Sequence, residues 1–122
     1  MDENNAANIL VVDDEVALLS LLNAILSKNG YRVFCAESAE QALAVMENES
    51  INLLISDVIM PDMDGYDLAA IVQERFPNIK IQLASGFTGD DDKHTDNPLS
   101  EDLLEKPYSL SVLLERVQSL LQ

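Results

Sequence analysis

The apolar runs of this chain are short and end abruptly at acidic or small polar residues. Ile9, Leu10, Val11 and Val12 follow one another without a polar break and end at Asp13 and Asp14. A second, mostly apolar run, Ile51 to Ser56, ends at Asp57. A third, Ile79 to Ala84, ends at Ser85 and Gly86. Short apolar runs without alternation fit strands buried on both faces, as in a parallel sheet. Tyr31 to Ala36 is a further strand, since Tyr, Val and Phe favour extended backbone. Leu103 and Leu104 offer a weak last strand before Glu105, Lys106 and Pro107.

Helical periodicity fills the intervals. Between Val16 and Asn29, apolar residues recur at Val16, Leu19, Leu22, Ile25 and Leu26, and Lys28, Asn29 and Gly30 supply the stop. Ser38 is an N-cap with Gln41 as its capping-box partner, opening a helix to about Glu49 that presents Ala39, Ala42, Leu43 and Met46. Tyr66 to Phe76 is a third helix closed by Pro77. Ser109 caps a closing helix through Leu121. The pattern degrades between Thr88 and Ser100, where Asp90, Asp91, Asp92 and Pro98 leave room only for a short or frayed helix.

Strands alternating with helices of roughly 10–15 residues specify an α/β fold with a parallel sheet covered on both faces. Right-handed crossovers leave few topologies. The expected architecture is the flavodoxin-like (βα)5 doubly wound sheet, strand order 2-1-3-4-5, in three α/β/α layers. Residues 1–8 read as a polar N-terminal extension and 9–122 as one domain, which suits a chain of 122 residues.

Composition narrows the partners. Against 7 Lys and Arg stand 22 Asp and Glu, a formal charge of -15. Nucleic acid and anionic membranes demand a basic footprint, so neither is expected as a direct partner. No stretch reaches the roughly 18 apolar residues of a membrane span, and Met1 to Asn8 resembles no secretory signal. A cytoplasmic location is the expectation. Cys35, the only cysteine, excludes an internal disulfide and reads as core filler. His94, the only histidine, reads as a surface residue.

In an open parallel sheet, ligands bind beyond the carboxyl ends of the strands, where the strand order reverses. Strands one and three are neighbours there, so Asp13, Asp14 and Asp57 converge. Unpaired, these carboxylates repel; a hard divalent cation such as Mg²⁺ removes the repulsion and takes oxygen ligands. Ser85 and Lys106, ending strands four and five, complete a set suited to phosphoryl transfer: a carboxylate nucleophile, a metal, a hydroxyl donor and a lysine. No GxxxxGK[ST] loop is present and no GxGxxG follows the first strand, so nucleotides lack an evident cradle. Asp62 and Asp64, nearby, are explained by the turn itself.

Together these motifs resemble the receiver domain of two-component response regulators. They are Ile9-Leu10-Val11-Val12-Asp13-Asp14-Glu15, Leu54-Ile55-Ser56-Asp57-Val58-Ile59-Met60-Pro61, Met63-Asp64-Gly65, Leu83-Ala84-Ser85-Gly86 and Lys106-Pro107-Tyr108. The resemblance implies that Asp57 is the phosphoacceptor, fed by a sensor histidine kinase or a histidine phosphotransfer protein. It implies that Asp14 and Asp57 ligate Mg²⁺ (or Mn²⁺) directly, with Asp13 partly through water and the Ile59 backbone carbonyl as a further ligand. Ser85 is then the switch hydroxyl, and Lys106 pairs with Asp57 and later with the phosphoryl group. The chemistry is self-directed, acceptance and later hydrolysis of a phosphoryl group rather than turnover of external substrates.

The chain also departs from the family pattern. Leu103 stands where a switch aromatic is usual, so aliphatic repacking is expected to replace the aromatic rotamer. The polar, acidic stretch after Ser85-Gly86-Phe87 is similar to receivers attached to hybrid sensor kinases. Phe87 and Tyr108 are candidate partner-facing residues, and Tyr66 is expected to be half-exposed for the same role. The output is expected from a downstream protein or a domain outside this chain. Two other functions compete: a phosphorylation-independent, receiver-like interaction module, and a Mg²⁺-dependent phosphatase of small molecules.

Overall fold

A computed structural model describes residues 7–60, 62–85, 104–105 and 109–121. Its centre is β1 (Asn8–Val12), which pairs in parallel with β2 (Arg32–Ala36) on one side and β3 (Leu53–Asp57) on the other. Next to β3 lies β4 (Lys80–Ser85), and the two-residue β5 (Leu104–Glu105) adds to β4, giving the order β2-β1-β3-β4-β5. The expected reversal between strands one and three is present. The helix expected within Thr88 to Ser100 lies outside the described residues.

Strand pleating divides the core in two, because successive side chains point to opposite faces. Ile9, Val11, Leu53 and Ile55 pack with Leu19, Leu22 and Leu26 of α1 (Val16–Lys28) and with Leu113 and Val117 of α4 (Leu110–Leu121). Leu10, Val12 and Leu54 pack with Ala39, Ala42 and Met46 of α2 (Ala39–Asn48) and with Leu68 and Val72 of α3 (Gly65–Arg75). Helices therefore cover both faces, and β1 is buried all round, which is why its four apolar residues tolerate no polar interruption. Each fully buried leucine contributes about 1.5–3 kcal/mol of transfer free energy.

The polar residue inside β4 is satisfied rather than exposed. Gln82 is buried; its Oε1 accepts from Arg116 Nη1 of α4 at 2.7 Å, and its Nε2 donates to the Leu83 carbonyl at 2.7 Å. The capping signals also act, with one change of partner. Ser38 Oγ accepts from the Gln41 N–H at 3.2 Å, whereas Gln41 Oε1 accepts from Glu37 N–H at 2.8 Å, one residue before the cap. Gly30 follows α1 at φ +95°, a left-handed conformation that glycine adopts without a Cβ penalty.

Several expectations are corrected. Cys35 is exposed, not core, because β2 is the edge strand and has a neighbour on one side only. Val16 is 55% exposed, since it opens α1 at the rim of the sheet and lies off the stripe formed by Leu19, Leu22 and Leu26. Asn8, read as part of a polar extension, belongs to β1, and the Ala7 carbonyl accepts from Arg32 N–H at 2.9 Å. Among the described residues, no helix is long and apolar enough to cross a membrane.

Candidate functional site

The sheet delivers carboxylates to one edge because β1 and β3 end level with each other, Val12 lying opposite Ser56. Asp13 follows β1, Asp14 comes next, and Asp57 is the last residue of β3. One carboxylate oxygen from each of Asp13, Asp14 and Asp57 lies within 4.8 Å of the others. Their environments differ: Asp13 is 3% exposed, Asp57 is half-buried and Asp14 is exposed.

Each carboxylate is positioned from its own backbone outward. Asp13 N–H donates to the Ala36 carbonyl at 3.1 Å, prolonging the β1–β2 ladder, and Asp13 Oδ1 accepts from Glu15 N–H at 2.9 Å. Beside Asp57, buried Ser56 donates from Oγ to the Asp57 carbonyl at 2.9 Å. Val58 N–H donates to the Ala84 carbonyl at 2.9 Å, which ties the loop after β3 to β4. Ile59 N–H faces Asp57 Oδ1 at 3.4 Å, and the Ile59 side chain is 51% exposed.

An all-oxygen donor set, buried at one member and open at another, fits a hard divalent cation that keeps water ligands. Asp13, Asp14 and Asp57 are the residues that could hold it. Ile59 lies two residues beyond Asp57 on the adjoining loop. Ser85 closes β4 at the same sheet edge, one residue beyond Ala84, which pairs with Asp57. Lys106, Leu103, Phe87 and Tyr108 lie outside the described residues. Tyr66 is 5% exposed and packs with Val58 and Leu83, so it is not the half-exposed partner residue expected. It begins the buried stripe of α3, where the helix meets the sheet.

One residue of this loop was missed as a tertiary contact. Asp64 caps α3 as a turn residue does, accepting from Asp67 N–H at 2.9 Å. Asp62 instead reaches α2: its Oδ1 accepts from Ala39 N–H at 3.1 Å and its Oδ2 from Glu40 N–H at 3.0 Å. The Ala39 N–H foremost, then Glu40 N–H and the N–H groups of Asp62 and Met63, hold its carboxyl below the ordinary carboxylate value, against desolvation that raises it. Sequence carries only a faint signal for this, an α2 start whose Ser38 cap leaves first-turn donors to be satisfied.

Residues 9–118 match the response regulator receiver domain family. The chain belongs to that family. The response regulator protein FleR of Pseudomonas aeruginosa is 35% identical over 114 residues, covering 92% of this chain and 24% of FleR. Among solved structures, the CheY-like response regulator receiver domain protein from Methanospirillum hungatei superposes with a TM-score of 0.87 at 31% identity, covering 96% of this chain and 94% of that one. The response regulator protein TrrA from Thermotoga maritima, solved in complex with Mg(2+)-BeF, gives 0.81 at 29% identity, covering 94% and 99%. This receiver domain spans between about a quarter and a half of the first curated relatives, at 24%, 50% and 48% of their lengths.

Proposed function

We propose that this receiver domain is a phosphorylation-activated switch of a two-component phosphorelay, with Asp57 as phosphoacceptor. The observation that carries the reading is the meeting of Asp13, Asp14 and Asp57 within 4.8 Å at the strand-order reversal of the sheet. The match to the receiver family over residues 9–118 supports it. So does the likeness to TrrA, whose structure holds Mg(2+)-BeF.

In this reading Asp13, Asp14 and Asp57, with the Ile59 carbonyl, hold Mg²⁺, and the same set suits Mn²⁺. When bound, the ion supplies positive charge against the phosphoryl oxygens. An Asp57 carboxylate oxygen forms the new P–O bond while the P–N bond to the donor histidine breaks. The imidazole leaves with the bonding pair. Hydrolysis later passes the phosphoryl group to water and restores the carboxylate. Ser85 donates its hydroxyl to a phosphoryl oxygen, Lys106 pairs with another, and repacking around Leu103 relays the change to partner contacts. The donor is a sensor histidine kinase or histidine phosphotransfer protein in the cytoplasm. The output is a downstream protein or a domain outside residues 9–122, with Phe87 and Tyr108 on the partner side.

Three carboxylates within reach of one ion favour this over a phosphorylation-independent module. Beryllofluoride mimics an acyl phosphate and serves as the test. With Mg²⁺ present it should bind the wild-type chain saturably, read by fluorine NMR, and should not bind Asp57→Asn. Unchanged binding in the variant overturns the assignment.

A further inference from the structure

The loop after Asp57 is fastened at both ends and once from the side. Gly65 N–H donates to the Val58 carbonyl at 2.6 Å, closing the loop on itself. Met60 is tucked under it, its sulfur 3.7 Å from Ser56 Oγ. The lateral fastening is Asp62, whose two carboxylate oxygens take the N–H groups of Ala39 and Glu40. These donors open α2, where the helix dipole favours negative charge and the Ser38 and Gln41 side chains are engaged with other partners. Charge-assisted, two-point contacts are the stronger and more directional kind. Between these fastenings lies Ile59, the residue whose carbonyl is the expected metal ligand.

We propose that Asp62 is a positioning residue of the phosphoacceptor site, which holds the Ile59 segment in place by anchoring the β3–α3 loop to the N-terminus of α2. The proposal rests on the phosphoacceptor reading of Asp57. It makes α2 a mechanical part of the site through the backbone N–H groups of Ala39 and Glu40. Loading the site pulls on the loop, and Ala39 and Glu40 register the pull. Releasing the anchor loosens the loop and weakens the ion's hold.

The test uses the full chain, labelled with nitrogen-15, as wild type, Asp62→Ala and Asp62→Asn. Mg²⁺ affinity is measured by titration, and the Ala39 and Glu40 amide signals are followed with Mg²⁺ and beryllofluoride. In the wild type both amides should shift on loading. In Asp62→Ala the Mg²⁺ affinity should fall several-fold and the amide response should vanish. Asp62→Asn keeps one carbonyl acceptor for α2 without the charge, so it should recover part of the affinity. If Asn weakens Mg²⁺ as much as Ala, the effect is long-range charge and the positioning role is overturned. Unaltered affinity and amide response in Asp62→Ala, with only a lower melting temperature, overturns it too by leaving Asp62 a helix cap alone. A wild-type chain that binds neither Mg²⁺ nor beryllofluoride overturns the phosphoacceptor reading and this one together, whereas binding without any amide shift overturns this one only.

Discussion

Gly65 lies directly against the backbone of Asp57. A Cβ placed on Gly65 would fall 2.5 Å from the Asp57 carbonyl oxygen and 2.9 Å from the Val58 Cα. Both obstacles are backbone atoms, so no side-chain rotation can relieve the overlap. The first turn of α3 is thus seated on the strand end that carries Asp57.

Gly65→Ala is therefore expected to destabilise the fold by about 1–3 kcal/mol, the usual range for overpacking. Urea unfolding should show a lower midpoint. Because the obstacle is the Asp57 carbonyl, the variant should also accept phosphoryl groups more slowly at saturating Mg²⁺. Wild-type stability in Gly65→Ala would show that α3 can shift without strain.

Acid should weaken the Asp62 anchor. Its folded carboxyl titrates below its ordinary value, first because of the Ala39 N–H. The contribution to stability is then full above the unfolded value, about 4 for a carboxyl, and is lost as pH falls through the folded one. The stability advantage of wild type over Asp62→Asn should shrink in that window. Urea midpoints of the two proteins, compared pH by pH, check this, and the subtraction removes the general easing of repulsion in a chain of charge -15. A gap that stays constant down to the acid transition contradicts it.

Cys35 is open at the sheet edge, yet desolvation on its inner side raises its thiol pKa. The thiolate is the reactive form. Alkylation by iodoacetamide at neutral pH should therefore be slower than for free cysteine, and intact mass against time measures it. A rate equal to that of free cysteine would mean that the Leu19 side of β2 does not shield the sulfur, which lies 3.9 Å from the Leu19 carbonyl.

What the sequence disclosed follows from how local each signal is. Ile9 to Val12 and the run ending at Asp57 announce buried strands by themselves, and the strand-order rule then puts Asp13, Asp14 and Asp57 together. Ser38 announces its cap because a cap involves only the next few residues. Cys35 misled because an edge strand and a central strand can share composition; only pairing with neighbours separates them. Tyr66 misled because helical phase relative to the sheet decides its burial against Val58 and Leu83. Asp62 stayed hidden because its partners, Ala39 and Glu40, lie more than twenty residues earlier and are backbone groups with no side-chain signature.

If Asp57 takes the phosphoryl group, intact-mass spectrometry after incubation with acetyl phosphate and Mg²⁺ will register it. Wild type should gain the mass of a single phosphoryl group, dependent on Mg²⁺, and Asp57→Asn should gain none. An equal gain in Asp57→Asn, or no gain in a folded wild-type chain, would contradict it.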